Sequence, residues 1–228
     1  MTDLLDLEKK IDINFNNKKL LEQVFVHRSY INEHRGLGLK HNERLEFLGD
    51  AVLELAVTEH IYSKYNRPEG EMTSWRSALV KGESLSTEAK NMGLDKCLRV
   101  SRGEAKNIGK ARDLILANAF EALIGAIYLD QGYEVVKKFI DKHVSYKLDK
   151  IIANMQYIDA KSRLQEISQE KFSLTPTYET ISETGPDHNK KFVVAVFIGT
   201  KKIAEGEGNS KQRAQINAAG EALKNNLL

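Results

Sequence analysis

The chain has 228 residues, and its 34 Lys and Arg against 32 Asp and Glu give a formal net charge of +2. With 41% apolar and 29% charged residues it has a globular composition, which excludes a disordered, collagen-like or membrane-spanning chain. The lone Cys97 has no internal disulfide partner, so we expect a cytoplasmic protein with no membrane partner.

The stretch up to residue 152 has apolar side chains at helical spacing and a single proline, Pro68. This pattern predicts an all-helical domain over residues 1–152. Its clearest apolar faces are Leu45, Leu48, Val52 and Leu55 on one helix, and Phe120, Leu123, Ile124 and Ile127 on another.

Residues 41–53, HNERLEFLGDAVL, place acidic side chains on one side of a helix. At about 100° per residue, Glu43, Glu46 and Asp50 share a narrow stripe opposite the apolar face. Taken alone, such a stripe is more often a solvated surface paired with a cation such as Arg44. Like charges four residues apart nevertheless destabilise a helix unless a cation binds, so a metal site is the second interpretation.

Just before a second predicted helix lies a basic segment, residues 96–112, with six cations against one acid, Glu104. Gly103 and Gly109 indicate a loop. A solvated loop can have the same composition, but cations beside an acidic metal site are what a phosphodiester enzyme needs. The cations are Lys96, Arg99, Arg102, Lys106, Lys110 and Arg112.

The second helix, within residues 116–128, carries Asn118 and Glu121 three residues apart among apolar neighbours. A buried carboxylate without a partner is very unfavourable, so this pair requires one. If the two helices face each other, the pair and the acidic stripe converge into an all-oxygen site suited to Mg²⁺ or Mn²⁺. Asp113 lies about 140° round the helix from Asn118, and we interpret it as a helix-start residue.

After a short linker predicted at residues 153–157, the pattern changes to an α-β-β-β-α order over residues 158–228. The first helix, residues 159–171, has Leu164, Ile167 and Phe172 on its apolar side. Ser210 is the predicted N-cap of the last helix, which runs to Leu228. Strands are predicted at residues 177–181, 192–198 and 201–206, with a loop at 182–189 and a hairpin turn at Gly199-Thr200.

Two segments together carry a family resemblance. Residues 41–53, and RDLILANAFEALIGAIYLD at residues 112–130, resemble the catalytic segments of bacterial ribonuclease III. Residues 20–33, with His27-Arg28-Ser29-Tyr30, also fit that family, and the tail resembles a double-stranded RNA-binding domain. The resemblance covers nearly the whole chain. It implies two domains, an all-α endonuclease followed by a small α+β domain, that cleave double-stranded RNA to 5′-phosphate and 3′-hydroxyl ends.

The resemblance also implies roles for the polar residues of the two helices. Asp50 and Glu121 match catalytic carboxylates, and Glu43, on the same stripe as Asp50, is expected to support the RNA or the active site. Asn118 stands where many members have Asp, so we expect a weaker ligand and a higher metal requirement. The implied ligands of Mg²⁺, for which Mn²⁺ can substitute, are Glu46, Asp50, Asn118 and Glu121. No small-molecule cofactor is implied.

A homodimer is implied as well, because one site per chain must cut two antiparallel strands. Phe47 is the expected dimer contact, although core packing explains an apolar residue beside the acidic stripe equally well. The family suggests precursor ribosomal RNA and structured messenger and transfer RNA as substrates. The alternative function is a non-catalytic double-stranded RNA-binding protein that keeps the fold, and only Asn118 favours it.

The tail offers side chains for the grooves and phosphates of an RNA duplex. Gln165 and Glu166 suit minor-groove hydroxyls, and the loop around His188 can reach a second groove. The last helix begins with cations that can meet phosphates, although Gln212 stands where the family usually has a lysine. The full set of predicted RNA contacts is Lys161, Gln165, Glu166, His188, Ser210, Lys211 and Arg213.

Overall fold

The computed structural model describes residues 2–34, 36–153, 160–186 and 190–224. The chain divides into two compact units, Met1–Tyr157 and Ile158–Leu228. Except for Ala153, the predicted linker at residues 153–157 lies outside the described residues. In the described part of the chain, no helix has the length and apolarity needed to cross a lipid bilayer.

The first unit is helical, as predicted. Short 3₁₀ turns at Leu94–Lys96, Glu104–Lys106 and Ser145–Lys147 join some of the helices. The helices are α1 (Thr2–Ile11), α2 (Lys18–Val24), α3 (Arg28–Glu33), α4 (Glu43–Lys64), α5 (Glu69–Val80), α6 (Gly82–Met92), α7 (Lys110–Gln131), α8 (Tyr133–His143) and α9 (Leu148–Ala153).

Helices α4 and α7 pack against each other at the centre of this unit. Helix α7 is buried over most of its circumference, and Phe120, Leu123 and Ile124 have no exposed surface. The expectation that Leu55 lies in the core is wrong, because this residue is 57% exposed. Helical spacing places Leu55 about 80° round α4 from the buried Leu45, on the side turned away from the core.

The second unit has the predicted α-β-β-β-α order. A three-stranded antiparallel sheet of β1 (Thr177–Thr184), β2 (Lys191–Ile198) and β3 (Lys201–Gly208) has the order β1-β2-β3. Helices α10 (Ala160–Phe172) and α11 (Lys211–Lys224) pack against it. The core between them consists of Leu164, Val196, Ala218, Ala219 and Ala222.

Three details of this unit test the sequence prediction. Ser210 Oγ accepts the Arg213 N–H at 3.2 Å, which confirms the N-cap. The first strand runs three residues beyond its predicted end, and an irregularity in pairing between Thr180 and Ser182 leaves Ile181 exposed. The prediction that Phe172 lies on the buried side of α10 is wrong, since Ser168 is buried there instead and donates to the Leu174 carbonyl at 2.6 Å.

Candidate active site

The acidic helix α4 starts at a residue held by buried hydrogen bonds. Asn42, which precedes α4, is 2% exposed. Its backbone N–H donates to the Val26 carbonyl at 2.9 Å, and its amide donates to the Val24 carbonyl at 3.0 Å. The Asn42 carbonyl in turn accepts the N–H groups of Leu45 and Glu46 at 2.8 and 2.9 Å. The first turn of the acidic stripe is therefore fixed to the segment before it.

Two glycines bring the backbones of α4 and α7 together. A Cβ atom on Gly49 would lie 1.8 Å from the Glu121 carbonyl oxygen, and one on Gly125 would lie 2.2 Å from the Leu45 carbonyl oxygen. Only glycine permits such an approach, although glycine within a helix is unfavourable by roughly 1 kcal/mol relative to alanine. Sequence reasoning missed both residues, and the available signal was a glycine in the middle of each apolar helix.

This crossing brings the four predicted metal ligands within electrostatic reach of one another. Burial, and after it the charges of Asp50 and Glu46, raise the pKa of Glu121 to about 7. Burial first, then the charges of Glu43 and Asp50, raise the pKa of Glu46 above its ordinary value. A hydrogen bond from Asn118 partly opposes that rise, and since it favours the charged carboxylate, the Asn118 amide is the donor. The facing helices thus gather three carboxylates and one amide.

The donor set fits a hard divalent cation. Repulsion among Glu46, Asp50 and Glu121 raises carboxylate pKa values, and a bound cation would remove that cause. Carboxylate and amide oxygens are ligands of Mg²⁺ and Mn²⁺ rather than of softer metals. Among the described residues, no three His, Cys, Asp or Glu side chains are arranged so that they could hold a metal ion by themselves. The Asn118 oxygen or water would therefore have to complete the coordination shell.

Two other acidic residues near the site have cationic partners. Glu43 lies 3.5 Å from Arg28 and 3.7 Å from His41, so its carboxylate is engaged at the edge of the stripe. Its charge still contributes to the raised pKa of Glu46. Asp113 lies in the first turn of α7 and pairs with Lys90 at 2.5 Å, in agreement with its interpretation as a helix-start residue.

Phe47 points away from the core. It is 82% exposed, so core packing does not explain it. Helical spacing places it on the same side of α4 as the exposed Ala51, Thr58 and Tyr62. The residues form an exposed strip with apolar members beside the acidic stripe, and Leu55 flanks it.

The basic segment, residues 96–112, lies between α6 and the first turn of α7 and includes the start of α7. It contains the turn Glu104–Lys106 and reaches α7 at Lys110. Arg112 donates to the Asp95 carbonyl at 3.3 Å and is partly buried. Of its six cations, those with exposed side chains are Lys96, Arg102, Lys106 and Lys110.

The side chains predicted to contact RNA in the second unit differ in whether they already bond to other residues of that unit. Lys161 donates to Gln215 at 2.8 Å and lies 4.8 Å from the centre of the Tyr178 ring, so its ammonium is held within the unit. Glu166 pairs with Arg163 at 3.1 Å, and Gln165 is exposed.

At the start of α11, Arg213 is exposed and Lys211 lies 3.5 Å from Glu183. These two cations and the Ser210 cap stand at the same helix end. His188 lies outside the described residues.

Known proteins resemble both units. Residues 17–148 match the family described as Ribonuclease-III-like, and residues 160–226 match the Double-stranded RNA binding motif. Ribonuclease 3 of Oceanobacillus iheyensis is 46% identical over 222 residues, which cover 97% of each chain. Ribonuclease 3 of Desulforamulus reducens is 44% identical over 219 residues, covering 96% of this chain and 89% of the relative.

A solved structure resembles the first unit. It is the nuclease domain of ribonuclease III from Campylobacter jejuni, described as flexible in a region involved in dimer formation. The match has a TM-score of 0.54 and 37% sequence identity, and it covers 60% of this chain and 96% of that one.

Proposed function

Because the chain belongs to the ribonuclease III family, and is therefore an endonuclease for double-stranded RNA that uses a divalent metal, we propose that Mg²⁺ is this metal. The observation that supports the proposal is the close contact of α4 and α7 at Gly49 and Gly125, which brings oxygen donors close to Glu121. Burial first, and then the neighbouring charges of Asp50 and Glu46, raise the pKa of Glu121 to about 7. Mn²⁺, which has similar ligand preferences, is the expected substitute. The residues proposed to hold the metal are Glu46, Asp50, Asn118 and Glu121.

The side chains divide the work at this site. When the site is occupied, the chemistry supplied is activation of a water and neutralisation of charge at the cleaved phosphate. Asp50 and Glu121 lie on the two helices, close enough that the charge of Asp50 adds to the burial that raises the pKa of Glu121, and they are proposed as the catalytic carboxylates. Asn118 donates to Glu46 and so opposes the rise in the pKa of that carboxyl, which burial mainly causes, but it adds no negative charge of its own. We therefore expect a higher metal requirement than an aspartate at this position would give.

The basic segment and the start of α11 are proposed to bind phosphates. Exposed cations such as Arg102 and Lys106 lie in the chain just before the helix that carries Asn118. In the second unit, Lys211 and Arg213 stand at a helix N-terminus, where backbone N–H groups also favour anions. Gln165 and Glu166 on α10 are proposed for minor-groove hydroxyls, and His188 for a second groove. Lys161 is proposed to shape this surface, because its ammonium is already engaged.

A homodimer through the exposed strip on α4 is part of the proposal. Phe47 and Tyr62 present apolar surface that a second copy would cover, and two copies would present two sites to the two strands. We expect Phe47→Asp to sediment as a monomer, whereas Ile108→Asp, a similarly exposed residue in the basic segment, should leave the mass unchanged. A dimeric Phe47→Asp protein would contradict this interface.

Cleavage of a long RNA duplex with Mg²⁺ and with EDTA tests the enzymatic proposal. We expect cleavage only with metal, 5′-phosphate ends on the products, and loss of cleavage in Glu121→Gln. Glu134→Gln, an exposed change on α8, is the matched control and should cleave normally. Binding of the duplex without cleavage under any metal would instead support the non-catalytic alternative. Precursor ribosomal RNA and structured messenger and transfer RNA are the proposed natural substrates.

A further inference from the structure

Residues 24–29, from the last residue of α2 to the first turn of α3, contact both the start of α4 and the basic segment. On one side, Val24 and Val26 accept the hydrogen bonds of Asn42 that fix the start of α4. On the other side, Phe25, His27 and Ser29 form hydrogen bonds with the basic segment. We call residues 24–29 the strap, because they tie the acidic helix to the basic segment.

The strap pairs with the basic segment through its backbone. The Arg99 N–H donates to the Phe25 carbonyl at 2.8 Å, and the His27 N–H donates to the Arg99 carbonyl at 3.0 Å. These two bonds form a parallel bridge between Val26 and Arg99. The bridge fixes the point at which the basic segment leaves the core, but not the course of the residues after it.

Ser29 extends this attachment by a side chain. Its Oγ accepts the Ser101 N–H at 3.0 Å, across 72 positions of sequence. The same hydroxyl lies 2.7 Å from His27 Nδ1, which also accepts the Ser29 N–H at 3.3 Å. Because the backbone N–H of Ser29 points at Nδ1, this nitrogen is the acceptor, and the Ser29 hydroxyl donates to it. The hydroxyl is therefore oriented by His27 so that its oxygen faces Ser101.

A carboxylate on the same helix holds the next residue. The Arg102 N–H lies 3.1 and 3.3 Å from the two oxygens of Glu33, at the end of α3. Ser101 Oγ then accepts the Glu104 N–H at 3.1 Å and begins the short turn that carries Lys106. Ser29 and Glu33 thus hold successive backbone N–H groups of the basic segment, while the side chain of Arg102 remains exposed.

We propose that Ser29 is a positioning residue that holds the cations of the basic segment in register with the metal site for binding of RNA phosphates. The inference rests on the proposed function, in which the basic segment binds RNA. Ser29 acts through the backbone of Ser101 and touches neither metal nor RNA. Its loss releases the Ser101 N–H and gives the segment between the bridge and Glu33 more freedom, so Arg102 and Lys106 must be ordered when RNA binds, and that ordering weakens binding.

Steady-state cleavage of a short RNA duplex at saturating Mg²⁺ tests the inference. For Ser29→Ala we expect KM to rise about fivefold, the loss associated with one hydrogen bond, while kcat and the half-saturating Mg²⁺ concentration stay unchanged. The salt dependence of RNA binding should also become shallower, because fewer phosphates are contacted in one geometry. Ser29→Thr keeps the hydroxyl, so its KM should equal that of the wild type. Ser77→Ala, whose hydroxyl bonds only within its own helix in the described structure, is the matched control.

Further variants separate failure of this inference from failure of the proposed function. The double variant Arg102→Ala/Lys106→Ala should raise KM if the basic segment binds RNA at all. If this double variant weakens binding and Ser29→Ala does not, the positioning role of Ser29 is wrong. If neither variant raises KM, the basic segment does not bind RNA. Should Ser29→Ala fail to fold, Glu33→Ala removes the second, exposed anchor, and an unchanged KM there would overturn the inference.

Discussion

The two units place their charged groups in opposite surroundings. In the helical unit, Glu46 and Glu121 are partly buried; burial raises the pKa of both carboxyls, and neighbouring carboxylates, Glu43 and Asp50 for Glu46 and Asp50 and Glu46 for Glu121, raise it further. In the second unit, Lys211 and Arg213 lie in solvent at the end of a helix. Interactions between buried charges are weakly screened, whereas those between exposed charges are reduced by water and salt. The metal site should therefore depend on atomic geometry, and the proposed RNA surface on net charge.

Both units use glycine to bring backbones into contact, with different results. Gly49 and Gly125 let two helices meet, and the meeting point carries the acidic side chains. A Cβ on Gly206 of β3 would lie 2.1 Å from the Ala218 nitrogen, so there glycine lets α11 pack on the sheet. The core around that contact consists mainly of alanine, which tolerates a close approach but buries little apolar surface. The same close approach gathers the residues of the proposed metal site in one unit and lets a helix pack on the sheet in the other.

The largest expected effect comes from filling the helix crossing. Gly125→Ala places a methyl group against the Leu45 backbone, so we expect a loss of about 3 kcal/mol or more in unfolding free energy and no detectable cleavage. Urea unfolding followed by circular dichroism measures the unfolding free energy.

Gly206→Ala, the corresponding change in β3, should unfold the second unit and weaken RNA binding while leaving metal binding in place. Gly70→Ala, with open space around its Cβ position, is the control. Equal loss of metal binding in Gly125→Ala and Gly206→Ala would contradict the contrast between the units.

A smaller effect is expected from restoring a charge at the metal site. Asn118→Asp adds a carboxylate beside Glu46, so the half-saturating Mg²⁺ concentration for cleavage should fall by about tenfold. Isothermal titration with Mg²⁺ in the absence of RNA provides a second readout. Asn91→Asp, an exposed change on α6, adds the same charge elsewhere and should have no effect. An unchanged metal requirement in Asn118→Asp would show that Asn118 is not a ligand.

The smallest expected effect concerns acid stability. Burial alone would raise the pKa of Glu88, but hydrogen bonds and charges from His143 and Lys147 outweigh it and hold the pKa below its ordinary value of 4.5. A lowered carboxyl pKa stabilises the folded state above pH 4.5, and this stability is lost as the pH falls through the folded pKa. Thermal unfolding of Glu88→Gln should therefore depend less on pH below 4.5 than that of the wild type. Glu183→Gln changes a surface carboxyl whose pKa is lowered mainly by Lys190, and because water and salt screen that pair, this change should alter the pH profile less.

Much of the fold could be predicted because local patterns matched the tertiary structure. The helical spacing of Phe120, Leu123 and Ile124 and the capping serine Ser210 both agree with the observed elements. The prediction failed for Leu55 and Phe172, which are exposed. Periodicity shows which side of a helix is apolar, but it does not show how much of that side a neighbouring element covers. The roles proposed for Asn118 and the RNA contacts remain predictions.

The sequence by itself determined the chemistry of this protein, because residue type and spacing decide which oxygens and cations lie on each helix. It showed Glu46 and Asp50 on one stripe and Glu121 on a second helix. Only the tertiary structure decided that these helices meet at Gly49 and Gly125, since a close approach depends on two backbones far apart in the chain. For the same reason, no local pattern could show that Ser29 holds Ser101.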